Sequence, residues 1–266
     1  MLKTIFFLII FSLLIITAKA EKSIIVQSTT SLKNSGFYNY ILPSIKEDLK
    51  INANVVALGS GAAIRNAMLC NGDLLIVHSP EQENNLIMKG YAEKAHYVMH
   101  NYFILVGPNS DPANVINTKK TKNVFKKIFY SKSFFISRGD NSGTHEKEKK
   151  IWNQAQLNPS MFSGQWYLET GTNMGATINT AVGLSAYTLA DMATWITFAN
   201  KQDFKVYVKQ DKNLINQYKA LIIKKSKCPL TKEKESDLIV KWLLSNKAKE
   251  KIINFKKNNQ QLFFIK

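Results

Sequence analysis

Short apolar runs rich in β-branched residues alternate with helix-periodic segments after residue 21. Residues 23–27, 53–58 and 74–78 have the length and composition of buried strands, and residues 37–49 and 62–70 have the spacing of amphipathic helices. This β-α-β-α-β order predicts a parallel sheet, because parallel strands need helical crossovers.

The rest of the chain repeats the alternation. The predicted strands are 102–106, 133–137, 185–189, 204–208 and 218–223. The predicted helices are 144–154, one that follows the Gly-rich turn 171–175 and runs through Val182, and a single long helix over 237–255. The pattern predicts two α/β units with a cleft between them, and one continuous doubly wound sheet is the alternative.

The first twenty residues have the layout of a secretory signal peptide. Lys3 precedes an apolar run over 5–16, and Ala18 and Ala20 lie where a signal peptidase recognises small residues. The run is short for a membrane span. We therefore expect residues 1–20 to be removed and the mature protein to be periplasmic. A buried core helix and a retained membrane anchor are the alternatives.

The chain is strongly basic, with 36 Lys and Arg residues, 19 Asp and Glu residues and a formal net charge of +17. Without Lys3 and Lys19 the charge is +15, and a basic protein attracts anions. The Lys- and Asn-rich stretches 117–127 and 247–259 lack the interleaved aromatics of a nucleic-acid groove. They predict solvated faces, and together with export they argue against a nucleic-acid partner.

Cys70 and Cys228 are the two cysteines of the chain. An oxidising compartment allows a disulfide if the fold brings them together, and two separate buried thiols are the alternative. No His, Cys, Asp and Glu spacing matches a zinc or calcium signature, and no nucleophile motif is present. We therefore expect no cofactor and no catalysis, with an exported hydrolase as the unsupported alternative.

The segment 138–144 concentrates groups that bind anions between a predicted strand and a predicted helix. Arg138 offers a fork of donors for two oxygens, and Ser142 and Thr144 offer hydroxyls. Gly143 lets a ligand approach the first helical amides, which carry the positive end of the helix dipole. An ordinary N-cap is the alternative.

Two further turns repeat this chemistry at the ends of predicted strands. Residues 28–31 supply four hydroxyls, and 59–61 place Ser60 between two glycines. Neither turn contains an acid, which suits a fully ionised oxyanion better than a ligand that retains a proton. Plain loop composition is the alternative for each turn alone, but three such turns at strand ends favour a shared anion site.

The chain resembles the tungstate-binding periplasmic proteins of ABC transporters, the TupA family, over nearly all of the mature sequence. The blocks that match in order and spacing are 28–31, 58–62, 73–80, 97–108, 137–145, 166–171, 174–177 and 186–189. One departure is Met192, which stands where the family places an Arg.

The resemblance implies a two-lobed type II periplasmic binding protein that closes on its ligand by hinge bending. Each lobe would be a mixed or parallel sheet flanked by helices, with lobe I at 21–107 plus 212–266 and lobe II at 108–211. The implied ligand residues are Thr29, Thr30, Ser31, Ser60, Arg138, Ser142, Gly143, Thr144, Met174 and Gly175. The expected partners of this monomer are tungstate and a membrane permease, with molybdate, phosphate or sulfate as alternative ligands.

Overall fold

The computed structural model describes residues 22–266, so the predicted signal peptide lies outside the described residues. Strands occur at β1 (Lys22–Thr29), β2 (Ile51–Leu58), β3 (Leu74–Val77), β4 (His96–Pro108), β5 (Phe135–Ser137), β6 (Tyr167–Glu169), β7 (Tyr187–Asp191), β8 (Phe204–Val208), β9 (Ile215–Ile222), β10 (Lys256–Lys257) and β11 (Gln260–Gln261). Helices occur at α1 (Thr30–Asn34), α2 (Phe37–Leu49), α3 (Ser60–Met68), α4 (Pro80–Met88), α5 (Thr121–Ser131), α6 (Gly143–Gln154), α7 (Met174–Gly183), α8 (Met192–Thr197), α9 (Glu233–Leu243) and α10 (Asn246–Asn254). Within these described residues, no helix has the length and apolar character that crossing a bilayer requires.

Within residues 22–266, nine strands form a mixed sheet in the order β2-β1-β3-β9-β4-β7-β5-β6, with β8 also paired to β4, and β10 and β11 form a separate antiparallel pair. The parallel pairing of β1 with β2 and β3 confirms the parallel sheet predicted from the first β-α-β-α-β run. Strands β5, β6 and β7 are also mutually parallel, whereas β9 and β4 run antiparallel to their neighbours.

Strand β4 joins two halves of this sheet. It pairs with β9 as far as Tyr102 and with β7 from Phe103 onward. The hydrogen bonding is therefore continuous across the sheet, but β4 changes its partner strand between Tyr102 and Phe103. The predicted lobe boundaries at 107/108 and 211/212 stay a prediction.

Each half has its own apolar core. Buried residues of the first half are Ile24, Val26, Ile41, Tyr218, Val240 and Phe263. Buried residues of the second half are Phe103, Phe125, Phe135, Trp152 and Tyr187. Separate cores allow each half to remain packed while the cleft between them changes shape.

The prediction of a single helix over 237–255 is wrong. Helix α9 ends at Leu243, and α10 begins at Asn246. The side chain of Ser245 caps α10 by accepting a hydrogen bond from the amide of Ala248 at 3.3 Å. Apolar residues on both helices pack into one core, which keeps the sequence periodic across the break.

A disulfide joins Cys70 to Cys228, with the two Cα atoms 5.3 Å apart. Of the two alternatives that the sequence leaves open, the structure therefore has the bonded pair. Cys70 follows α3, and Cys228 lies between β9 and α9. The bond ties the C-terminal segment to the first half of the sheet.

We expect the Cys70→Ala/Cys228→Ala variant to fold but to lose about 2–5 kcal/mol of unfolding free energy, because the bond closes a long loop in the unfolded chain. Urea titration followed by circular dichroism measures this loss. Wild-type protein in excess reductant is the control, since it lacks the bond but keeps both side chains. A midpoint equal to that of the oxidised wild type would contradict the prediction.

Candidate functional site

Two of the predicted hydroxyl-rich turns begin helices at the carboxyl ends of parallel strands. Thr29 ends β1 and caps α1, where its side-chain oxygen accepts from the amide of Leu32 at 3.4 Å. Ser31 Oγ lies 3.5 Å from the hydroxyl of Tyr218. Ser60 begins α3, and its Oγ is buried with no hydrogen-bond partner in the described part of the chain. An orphaned buried hydroxyl is unusual, because an unmet polar group costs free energy.

The loop between β5 and α6 fixes Arg138 in place. Its Nε donates to the carbonyl of Thr172 at 3.1 Å, and its Nη2 pairs with the Asp140 carboxylate. The other oxygen of Asp140 accepts from the amide of Ser142 at 3.1 Å. Only 7% of the Arg138 surface is exposed. The guanidinium is therefore buried, held in a fixed orientation and paired with one carboxylate.

The start of α6 presents free donors beside this guanidinium. Ser142 caps the helix, with its Oγ accepting from the amide of His145 at 3.3 Å. The amides of Gly143 and Thr144 occupy the first two helical positions, which have no partner within the helix. They carry the positive end of the dipole of a twelve-residue helix.

His78, at the end of β3, packs directly against the start of α6. A Cβ atom added to Gly143 would lie 2.6 Å from His78 Nδ1 and 2.7 Å from the His78 carbonyl oxygen. That Nδ1 is buried and has no hydrogen-bond partner within residues 22–266. The pKa of His78 is lowered to about 4, chiefly by burial, with the charge of Asp191 opposing the shift and the charge of Arg138 adding to it. The imidazole is therefore neutral at pH 7 and carries one N–H.

Hydrogen bonds around Glu146 connect the two halves of the molecule across the cleft. The Glu146 carboxylate on α6 accepts from the hydroxyl of Ser79, at 2.7 and 2.8 Å to its two oxygens, and also from the Gln82 side chain. Gln82 Nε2 also lies 3.3 Å from the carbonyl of Asn141. These contacts hold the start of α4 against the start of α6.

Asp191 is the centre of a buried polar cluster behind the cleft. One of its oxygens accepts from Asn101 at 2.8 Å, from Asn216 at 3.1 Å and from the Tyr218 hydroxyl at 3.3 Å. The other accepts from the amide of Thr194 and caps α8. The Tyr218 ring also packs on His78, with centroids 4.8 Å apart. The cluster thus connects the first-turn hydroxyls, through Tyr218, to the residue that touches Gly143.

Some of the predicted site residues lie at the edge of this arrangement. Thr30 is the first residue of α1 and is half-buried. Met174 begins α7, but its side chain is buried in the apolar core of the second half. Gly175 follows it and is half-buried. Met192 begins α8 and packs between two cores, so it brings no charge to the cleft.

Three residues of the cleft were not among the predicted ligand residues: His78, Asn216 and Tyr218. The sequence shows His78 at a strand end, but a lone histidine is ordinarily structural. Asn216 and Tyr218 lie within β9, where nothing in the local pattern separates them from other strand residues. Only the pairing of β9 between β3 and β4 brings them beneath the cleft.

A buried acid is hydrogen-bonded to the residue that precedes the Arg138 loop. Glu148 on α6 accepts hydrogen bonds from Ser137 Oγ at 2.7 Å, Tyr167 Oη at 2.8 Å and Trp152 Nε1 at 3.1 Å. Burial raises the pKa of Glu148 from 4.5 to about 7, and the three donors only partly oppose this shift. Ser137 immediately precedes Arg138, so this network sets the position from which the loop departs.

A binding-protein family accounts for this combination of fold and cleft. A family model described as a PBP superfamily domain matches residues 17–247. The chain therefore belongs to the PBP, or periplasmic binding protein, superfamily, which confirms the predicted fold class.

More similar relatives define the family within this class. The chain is 36% identical over 236 residues to the tungstate-binding protein TupA of Peptoclostridium acidaminophilum, covering 88% of this chain and 82% of the relative. It is 33% identical over 239 residues to the tungstate-binding protein TupA of Campylobacter jejuni, covering 88% of each chain. The solved structure of the tungstate-binding protein TupA from Desulfovibrio alaskensis G20 matches with a TM-score of 0.81 and 33% identity, over 91% of this chain and 98% of that chain. The chain belongs to the TupA family.

We expect Glu148→Gln to change how stability depends on pH. Between pH 4.5 and 7 the folded protein holds a proton on Glu148 that the unfolded chain has released, so wild-type stability falls with rising pH by up to about 3 kcal/mol from this group. The variant lacks this contribution. Urea titrations at intervals from pH 4.5 to 8 give the difference between the two proteins.

The difference between wild type and variant is the informative quantity. His78 contributes with the opposite sign over the same pH range, because its folded pKa is lowered. That contribution is common to both proteins and cancels in the comparison. Parallel stability curves for wild type and Glu148→Gln would show that Glu148 titrates normally.

Proposed function

We propose that this chain is the exported solute-binding component of an ABC transporter, and that it captures a fully ionised tetrahedral oxyanion, tungstate above all, and delivers it to a membrane permease. The observation that carries the proposal is that Ser60 Oγ and His78 Nδ1, shortly after the ends of β2 and β3, are buried without a hydrogen-bond partner among residues 22–266. The relatives named for tungstate binding support the choice of ligand.

The proposed ligand shell draws donors from both sides of the cleft. Its members are Thr29, Thr30, Ser31 and Ser60 on the side of β1 and β2, and Arg138, Ser142, Gly143, Thr144 and Gly175 on the side of β5 and α7, with Met174 contributing through its backbone. His78 is added to this set because its Nδ1 faces Gly143. Closure around the anion excludes water and strengthens each hydrogen bond.

The carboxylates around the cleft favour a ligand that carries no proton. Asp140 is occupied by Arg138 and by the Ser142 amide. Glu146 and Asp191 already accept hydrogen bonds from neutral donors of the protein. A ligand such as hydrogen phosphate needs an acceptor for its own proton, and these acceptors are already used. The site therefore fits tungstate, molybdate or sulfate better than phosphate.

Binding in this proposal is reversible and involves no bond chemistry. The protein acts as a monomer in the periplasm after removal of residues 1–20, and lobe closure over the anion creates the surface that the permease recognises. Tungstate is preferred to molybdate on the strength of the relatives, since the two anions have the same charge and nearly the same shape.

We expect tungstate and molybdate to raise the melting temperature of the purified protein, because a ligand that binds only the folded state stabilises it. Phosphate at the same concentration should give little or no shift, since it retains a proton at neutral pH. Scanning fluorimetry followed by calorimetry with tungstate, molybdate, sulfate and phosphate measures both effects. The absence of any shift with tungstate and molybdate at many-fold excess would refute oxyanion capture.

We expect Gly143→Ala to weaken tungstate binding by at least about tenfold, since a Cβ at this position meets the backbone and ring of His78 and keeps the cleft from closing. Gly183→Ala is the matched control, because a Cβ there meets nothing within 4 Å. Calorimetry measures both affinities. Equal affinity in the two variants would mean that the contact between Gly143 and His78 is not needed for binding.

A further inference from the structure

A basic groove extends from the cleft to the surface. Its volume is about 1320 Å³, and its lining includes His78, Gly143 and Asn216. We use the name basic groove for the cavity lined by the six cations Arg65, Lys147, Lys149, Lys150, Lys212 and Lys219. The cavity is far larger than one tetrahedral oxyanion, so it extends well beyond the proposed ligand shell, with which it shares His78 and Gly143.

The cations of the basic groove come from separate parts of the chain. Arg65 lies on α3, and Lys219 lies on β9. Lys147 and Lys150 are three residues apart on α6 and so share one face of that helix. Lys212 begins the short 3-10 helix before β9. The concentration of charge is therefore produced by the fold and not by one Lys-rich stretch of sequence.

Within residues 22–266, one of these six cations is ion-paired with an acid. Lys219 pairs with the buried Glu83 at 3.0 Å. Arg65, Lys149, Lys150 and Lys212 have no acidic partner within 4 Å in the part of the chain that the structure describes. The acids that line the groove are Glu81 and Glu146. Glu146 is held by Ser79 and Gln82.

Lys147 shows how crowded the positive charge is in the basic groove. Its Nζ donates to the carbonyls of Asn213 at 3.0 Å and Ile215 at 3.1 Å, and it lies 5.7 Å from the centre of the Phe103 ring. The pKa of Lys147 is lowered to about 8, chiefly by burial and in addition by the charge of Lys150. A concave surface with low-dielectric walls focuses such a field toward its interior.

We propose that the basic groove is the entry path of the oxyanion, and that its unpaired cations raise the rate of capture by drawing dianions to the mouth of the cleft. This inference rests on the proposed function of the cleft. It adds that the groove acts on association and not on the stability of the closed complex, because its exposed lysines lie outside the donor shell. The field is effective over about 8–10 Å at physiological salt, which is the scale of a groove and not of the whole protein.

The test compares two triple variants with the same change in net charge. Lys149→Gln/Lys150→Gln/Lys212→Gln removes exposed charge from the basic groove. Lys122→Gln/Lys234→Gln/Lys256→Gln removes exposed charge from α5, α9 and β10, outside the groove. Rate constants for tungstate are measured by stopped-flow tryptophan fluorescence at low salt and at physiological salt, after melting temperatures confirm that both variants are folded.

We expect the groove variant to associate with tungstate about tenfold more slowly than wild type at low salt, with the deficit shrinking as salt is raised. Its dissociation rate constant should stay within about twofold of wild type. The control variant should associate at nearly the wild-type rate. Equal association rates for the two variants, or a loss confined to dissociation, would overturn the proposal.

Equilibrium dialysis of the wild-type protein with tungstate separates this inference from the function on which it rests. If the wild type binds and the two variants associate alike, the entry path is refuted and oxyanion capture stands. If the wild type does not bind tungstate, molybdate or sulfate at all, the proposed function fails, and the entry path fails with it.

Discussion

The approach of the α6 N-terminus to the end of β3 is the contact on which the cleft depends. Gly143 brings its backbone so near His78 that no side chain fits between them. This contact places the first amides of α6, with the positive end of the helix dipole, at the carboxyl edge of the parallel strands β1, β2 and β3. The hydrogen bonds of Glu146 to Ser79 and Gln82 hold the same two segments together from the outer side. The donors of the site therefore come from strand ends that only this packing brings together.

The carboxylates of Asp140 and Asp191, which lie near the site, both accept hydrogen bonds from the protein itself. A buried guanidinium and buried acids are costly unless they are paired and hydrogen-bonded. Arg138 is held by Asp140 and by the Thr172 carbonyl, while Asp191 is held by neutral donors. Met192 stands where the family resemblance places an Arg, so α8 adds no second cation. In the proposed site, binding strength must then come from one guanidinium, helix amides and hydroxyls, which suits a small dianion that needs donors only.

Local structure was predicted well where the hydrophobic periodicity of a segment agrees with the capping and turn residues at its ends. The bounds of α2 and β8 match their predictions, and the three donor-rich turns lie at the helix starts where they were expected. The break at Ser245 was missed because α9 and α10 keep their apolar faces on one core, so periodicity continues across it. His78, Asn216 and Tyr218 were missed for a different reason. Their importance comes from contacts between segments far apart in the chain, which no local pattern encodes.

Electrostatic interactions act over two ranges of distance in a binding protein of this kind. In the proposed site, hydrogen bonds from Arg138 and the α6 amides act within about 3 Å, so they would decide which anion is held and how tightly. The lysines of the basic groove act over about a Debye length, so in our proposal they affect how often an anion arrives. An exposed lysine attracts anions from a distance, but its hydration weakens a direct contact with them. One cation therefore cannot serve both purposes well. The buried Arg138, in the loop before α6, and the exposed Lys149 and Lys150, on the second and third turns of that helix, follow that division.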